Sequence, residues 1–240
     1  MKRKTYLVSD RYLEHISFSQ IQLEQVELGD LSTLDLETTG LKFNHHSIIF
    51  VIVGTKENQY VIDYNFVDVE KLKILLSRPK IYLGHNLSFD LPFLIERGFT
   101  FTTGQVYDSM ETELTLVKGT MHSVSLQNTL KRRLGVDDLD KGITMEFTRM
   151  SPTNPHFEDR HIEYAYKDVL HLEDLREEQL RIITKLKQNQ VVRYNNEMVV
   201  VVSYMKVTGM PLNKDKWMDL YYANLKRCDE LEIELDGELN

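Results

Sequence analysis

Three short segments concentrate carboxylates at spacings that force like charges together. They are Asp35-Leu36-Glu37, then Gly84-His85-Asn86-Leu87-Ser88-Phe89-Asp90, then Tyr164-Ala165-Tyr166-Lys167-Asp168. Side chains alternate along a strand, so Asp35 and Glu37 point the same way. Two adjacent carboxylates raise one another's pKa, and a divalent cation removes that conflict. An all-oxygen donor set suits magnesium or manganese. A strand end that shows both acids to water is the plainer alternative. Asp90 falls in the first turn of an expected helix, where a carboxylate is favoured by the dipole alone. Tyr164 and Asp168 stand four apart and share a helix face, whereas Tyr166 points elsewhere. Together the four acids could hold two ions about 3.5–4 Å apart, which stabilises both the attacking and the leaving oxygen of a phosphoryl displacement. Tyr164 could hold the attacking water without being a strong base, since a metal lowers the pKa of the water it binds.

These residues need a scaffold that gathers three segments. Leu31 to Leu36 reads as a buried strand ending at the turn Thr38-Thr39-Gly40. Ser47 to Thr55, with the apolar run Ile48 to Val53 at its centre, reads as a central strand, hairpin-paired through Lys56-Glu57-Asn58 to a strand from Gln59 to Asp63. Val67, Leu72, Leu75 and Leu76 suit a helix that stops before Pro79. Ile81 to Gly84 reads as another strand, and Ser88 to Arg97 as a helix closed by Gly98. Val106-Tyr107 is a short strand, Asp108 caps the next helix, and Ser123 caps one that ends at Gly135. Residues 137–157 read as a long polar loop and Glu158 to Lys187 as a long helical region. Upstream, a strand from Tyr6 to Val8 leads into a helix-like stretch ending near Gly29-Asp30. Downstream, Val192, Met198, Val199, Val202 and Met205 fit a helix stopped by Gly209, and Asn213 can cap a last helix from Lys214. Strands alternating with helices after a hairpin predict an α/β layer fold with a mixed sheet. Such sheets place ligands beyond the carboxyl ends of their strands, where the second acidic segment falls. The expected organisation is a lead-in over 1–30, a main domain over 31–188 and a helical extension over 189–240.

Composition narrows the class. A hydrophobic content of 42% in 240 residues is enough for a core. The single cysteine, Cys228, excludes an internal disulfide, offers no thiolate metal site and fits a reducing cytosol. Met1-Lys2-Arg3-Lys4 is basic, but no long apolar run follows, so no signal peptide is expected. The stretch Met198 to Val202 is far short of the roughly 20 residues a membrane span needs. A net charge of −8 disfavours a large non-specific nucleic-acid binder. It suits a carboxylate cleft whose ions bring their own positive charge.

The three acidic segments resemble, in order and interval, the three exonuclease motifs of the DEDD superfamily over residues 31–180. Leu34-Asp35-Leu36-Glu37-Thr38-Thr39-Gly40 resembles the first, Gly84 to Asp90 the second and Tyr164 to Asp168 the third. The histidine branch would carry His five residues before the last aspartate, where this chain has Glu163; Tyr164 matches the tyrosine branch. The resemblance implies an RNase H-like mixed five-stranded sheet flanked by helices, with a C-terminal helical extension. It implies a metal-dependent 3′–5′ exonuclease that releases nucleoside 5′-monophosphates from the 3′ end of single-stranded DNA. Asp35, Glu37 and Asp168 would bind a first Mg2+ or Mn2+. Asp35 would also touch a second, with Asp90 helping through water. Tyr164 would orient the nucleophile, assisted by Glu37. By position Leu41 would wedge against the terminal bases, and Asn86 and Phe89 would line the 3′ end. Many relatives carry tyrosine at Phe89, which can stack on a base but cannot donate a hydroxyl hydrogen bond.

Val106 to Met110, Ser123 to Leu126 and Leu134-Gly135 resemble the stretch between motifs two and three in family A DNA polymerases. Asn196-Glu197-Met198 and Tyr204 to Asn213 resemble the helix pair that opens their polymerase region. The resemblance therefore implies proofreading, with a polymerase domain in cis or a separate polymerase subunit as partner. It also implies the cytoplasm of a bacterium or of a phage-infected host. An RNase D-like 3′–5′ exoribonuclease and a catalytically silent binding or scaffold module are the competing readings. His85 could contact a substrate phosphate or hydrogen-bond its own turn. Lys131-Arg132-Arg133 suits a helix C-terminus, with a phosphate contact as the alternative. His45-His46 reads as a solvated loop, since no third ligand lies near in sequence.

Overall fold

The computed structural model describes residues 3–137 and 142–239. The strands are β1 (Lys4–Val8), β2 (Ser19–Ile21), β3 (Leu31–Thr38), β4 (Ile48–Gly54), β5 (Asn58–Asp63), β6 (Ile81–Gly84) and β7 (Val106–Asp108). The helices are α1 (Val69–Leu76), α2 (Leu87–Glu96), α3 (Ser109–Leu116), α4 (Leu126–Leu134), α5 (Thr144–Phe147), α6 (Asp159–Leu170), α7 (Leu172–Leu186), α8 (Asn189–Thr208) and α9 (Lys214–Leu239).

The strands make one mixed sheet in the order β2-β1-β5-β4-β3-β6-β7. Strands β3, β4 and β5 run antiparallel through short connections, and β6 and β7 join β3 in parallel. The expected five strands are thus β3 to β7. The lead-in adds two more, with β1 parallel to β5 and β2 parallel to β1. The helix-like stretch expected before Gly29 is corrected: apart from a single 3-10 turn at Leu23–Gln25, this segment is extended or irregular. Its apolar residues are buried as single anchors, Leu23 and Val26 in the core on one side of the sheet and Ile16 in the core on the other.

Every residue of β4 is buried, which its unbroken apolar run requires of a strand covered on both faces. On one side Val51 and Val53 pack with Leu34 and Leu36, with Leu72 and Leu75 of α1, Leu87 and Leu91 of α2, and Val199 and Val200 of α8. On the other side Phe50 and Ile52 pack with Leu130 of α4, Ile162, Ala165 and Val169 of α6, and Leu172 and Leu175 of α7. The helical region after Glu158 breaks at His171, which separates α6 from α7. The loop expected over 137–157 contains α5, held by Phe147 against Phe50 at 5.8 Å between ring centroids. Its residues 138–141 lie outside the described residues. The cap of α4 is Ser125, not Ser123: its side chain accepts from Asn128 N–H, and Gly135 closes the helix in the left-handed conformation.

The chain divides into two compact units, Met1–Val207 and Thr208–Asn240. The first holds the sheet and most of α8. In the second, Asn213 caps α9 by accepting from Lys216 N–H at 3.0 Å.

Candidate active site

The site forms where β3 outruns β6. Strand β6 pairs with β3 only at Leu31, Ser32 and Thr33, so the last half of β3 has no parallel neighbour there. Beyond that point the Leu36 N–H donates to Asp90 Oδ1 at 3.1 Å. Asp90 therefore does more than favour its own helix terminus, because it ties α2 to the end of β3 from one layer of the fold. Asp35 and Glu37 stand opposite Ile52 and Phe50 of β4, on the face that α6 covers. Tyr164 and Asp168 approach from that helix.

Asp35, Glu37 and Asp168 come together, each offering a carboxylate oxygen within 4.8 Å of the others. Glu37 and Asp90 are buried, at 7% and 3% exposure. Burial pushes the Asp35 carboxyl well above the usual carboxylate range, and the charges of Asp90, Asp168 and Glu37 push it further. Glu37 is raised by burial and then by Asp168 and Asp90. Asp90 is raised by burial and by Asp108. A cluster of hard oxygens that opposes its own ionisation is the donor set a divalent cation would satisfy. The residues present therefore fit a metal on the Asp35, Glu37 and Asp168 side.

Tyr164 is half-buried, and its hydroxyl lies 2.8 Å from Thr144 Oγ1. Burial raises its pKa, followed by the charge of Asp168, so the phenol stays protonated near neutrality. Thr144 is a site residue with no signature in the sequence. It sits in a polar stretch without periodicity, and the packing of Phe147 together with the bonds from Glu146 to Arg160 and His161 of α6 brings it to Tyr164.

The second motif is positioned by two devices. A Cβ on Gly84 would lie 2.8 Å from Leu34 O, so only glycine lets this turn approach β3 so closely. Asn86 adopts a left-handed conformation at φ 69°, and the buried Asp108 carboxylate holds it there by accepting from Asn86 N–H at 3.0 Å and Leu87 N–H at 2.7 Å. The same carboxylate caps α3 by accepting from Met110 and Glu111 N–H. Asp108 thus performs the expected capping and a second task that no local pattern signals.

Leu41, Asn86 and Phe89 line the acidic cleft together with the four acids and Tyr164. Leu41 is 83% exposed at its rim. His85 also borders the cleft, but both ring nitrogens are engaged: Nδ1 lies 2.9 Å from Ser109 Oγ and Nε2 lies 3.0 Å from Val124 O. Burial lowers its pKa to about 4, so the ring is neutral near pH 7. Of its two sequence readings, these contacts are those of a ring that fastens its own turn. The basic run is likewise paired internally. Arg132 and Arg133 each reach Glu113 Oε1 at 2.9 Å, and Lys131 reaches Asp137 at 2.6 Å. His46 stays in its own loop, with Nδ1 3.2 Å from Lys42 N.

Among solved structures, the chain is similar to Brucella melitensis NrnC, with a TM-score of 0.66 and 16% identity over 86% of this chain and 94% of that one. NrnC has also been solved with bound Mg2+ and bound to pGG. Escherichia coli RNase D, described as an exoribonuclease involved in structured RNA processing, matches with a TM-score of 0.62 and 18% identity over 81% of this chain and 49% of that one. Among curated sequences, the DNA polymerase I of Aquifex aeolicus is 40% identical over 77 residues, which is 32% of this chain and 12% of the polymerase. The chain thus spans a small part of that relative's length. Residues 21–183, which carry every acid of the cleft, match the 3′–5′ exonuclease family throughout, and the chain belongs to that family.

Proposed function

We propose that the chain hydrolyses single-stranded DNA from its 3′ end, releases nucleoside 5′-monophosphates, and proofreads for a DNA polymerase in cis or as a separate subunit. The observation that carries the reading is the convergence of Asp35, Glu37 and Asp168 within 4.8 Å, in a chain of the 3′–5′ exonuclease family. The 40% identity to a DNA polymerase I supports DNA as the substrate. On this reading residues 1–30 lead into an exonuclease domain over 31–188, and 189–240 is a helical extension. No helix among the described residues is long and apolar enough to cross a membrane.

Asp35, Glu37 and Asp168 would hold one Mg2+ or Mn2+, and Asp35 with Asp90 would face a second. When bound, such ions polarise the phosphate and lower the pKa of the attacking water. The protein's own groups do the rest. The Tyr164 hydroxyl, protonated and held by Thr144, orients the water by hydrogen bonding rather than by taking its proton. Glu37, buried beside it, assists in that orientation. Leu41 wedges against the terminal bases, and Asn86 and Phe89 line the 3′ end. His85 borders the same turn.

Matched single-stranded DNA and RNA oligonucleotides, incubated with MgCl2 and resolved by length, test this reading. DNA should be shortened from the 3′ end one nucleotide at a time, and faster than RNA. A preference for RNA would transfer the reading to an exoribonuclease of the RNase D type. Metal-dependent release from neither would leave only a binding module.

A further inference from the structure

The acids sit at a junction between two arms of the cleft. One arm runs past His85 and Asn86 to Met110, Ser125 and Leu126. The other, about 380 Å³ in volume, runs past Leu41 and Asn86 to Lys42, Phe43, Phe93 and Lys206. We infer that this second arm is a binding groove for the strand 5′ to the scissile phosphate, and that Lys206 of α8 neutralises one of its backbone phosphates. This rests on the exonuclease reading of the acids.

Three observations support the assignment. First, the groove is continuous with the site, sharing Leu41, Asn86 and Phe89 with the acidic cleft. With the 3′-terminal nucleotide against Asn86 and Phe89 and Leu41 as its wedge, the rest of the polyanion continues past Leu41 toward Lys42, Phe43 and Lys206. Second, the lining has the composition that single strands use: cations along a track with aromatic faces between them. Phe43 and Phe89 are half-buried on the groove wall, and the buried Phe93 backs Phe89 with ring centroids 5.2 Å apart. Lys42 and Lys206 are both exposed. Third, Lys206 is oriented by the site itself, because its Nζ donates to Ser88 O at 2.7 Å, within the second motif. An ammonium has three donors, so this bond aims the group and leaves others for a phosphate. Lys206 lies beyond the family-matched residues 21–183, so α8 adds to the nuclease a contact from outside that segment.

The test uses the full chain and its Lys206→Ala and Lys206→Gln variants, with Lys206→Arg as the conservative control. Hydrolysis of a DNA dinucleotide is compared with that of a single strand of about eight nucleotides. Binding of the same labelled strand is followed by anisotropy in EDTA across a salt series. In the wild type, kcat/KM should be larger for the longer strand. In Lys206→Ala and Lys206→Gln that advantage should shrink on the order of fivefold, mainly through KM, as expected for a lost phosphate contact. The slope of log affinity against log salt should fall by about 0.7, the single-strand value for one phosphate contact. Lys206→Arg should restore both. An equal loss on dinucleotide and longer strand, or an unchanged salt slope, would overturn the assignment. Strand binding in EDTA that depends on Lys206, without hydrolysis of any DNA, would keep the groove and sink the exonuclease reading instead.

Discussion

Two regions of the fold handle acid in opposite ways. Glu113 on α3 is fully buried, and the fold surrounds it with Arg132, Arg133 and Gln179. Burial pushes its carboxyl up, but hydrogen bonds from Arg133, Gln179 and Arg132 outweigh that and hold it below the ordinary range. At the end of β3, Asp35 meets burial together with the charges of Asp90, Asp168 and Glu37, and all four push its carboxyl up. One region carries its counter-charge in the sequence, whereas the other gathers like charges at a cleft. The contrast teaches that the fold can neutralise a buried acid with its own side chains. Where it stacks carboxylates instead, the arrangement is suited to a cation supplied from solution.

The contrast can be broken at either cluster. Asp35→Ala should lower hydrolysis by at least about a thousandfold, or about 4 kcal/mol of transition-state stabilisation, while denaturant unfolding stays cooperative. Glu113→Ala should do the reverse. It strands two partly buried guanidinium groups and should cost on the order of 3 kcal/mol in urea unfolding, with activity per folded molecule retained. Tyr164→Phe removes the hydroxyl but not the acids, and should lower kcat by roughly 10–100-fold, about 1.4–2.7 kcal/mol. Thr144→Val frees the Tyr164 hydroxyl from its partner and should lower kcat only a few-fold, in line with about 1 kcal/mol for one hydrogen bond.

A pH series sharpens the same contrast. Asp35, Glu37 and Asp90 have raised folded-state pKa values, so the folded chain holds more protons than the unfolded one above the ordinary carboxylate range near about 4. Their effect on stability must therefore worsen as pH rises through that window. Glu113 has a lowered pKa, so its contribution is present above its ordinary value and fades as pH falls below it. In EDTA, Asp35→Asn should raise Tm relative to wild type, and the gain should grow from pH 5 to pH 7. A gain that is flat or shrinks over that interval would contradict the assignment of the strain to Asp35.

Much of this was legible in the sequence where a local rule decides the outcome. The apolar run at Ile48 to Val53 could only be a strand covered on both faces, and Asp108 and Gly135 sit where caps belong. The i, i+2 acids of β3 and the i, i+4 pair on α6 define which side chains share a face, and those faces converge. What escaped depends on distant partners. Strand β2 has three residues, and its pairing with β1 decides its conformation. Helix α5 has four, and Phe147 anchors it on a strand nearly a hundred residues earlier. The hold of Asp108 on Asn86 and that of Thr144 on Tyr164 each link segments about 20 residues apart, and neither leaves a periodic trace.

On the proposed reading, Asp35, Glu37 and Asp168 would hold the metal on which hydrolysis depends. The most direct measurement follows the stepwise shortening of a 5′-labelled single strand by wild type and Asp35→Ala, in EDTA and after MgCl2 is restored. Wild type should shorten the strand from the 3′ end with magnesium only, and the variant in neither condition. Shortening that persists in EDTA, or that survives Asp35→Ala, would contradict that reading.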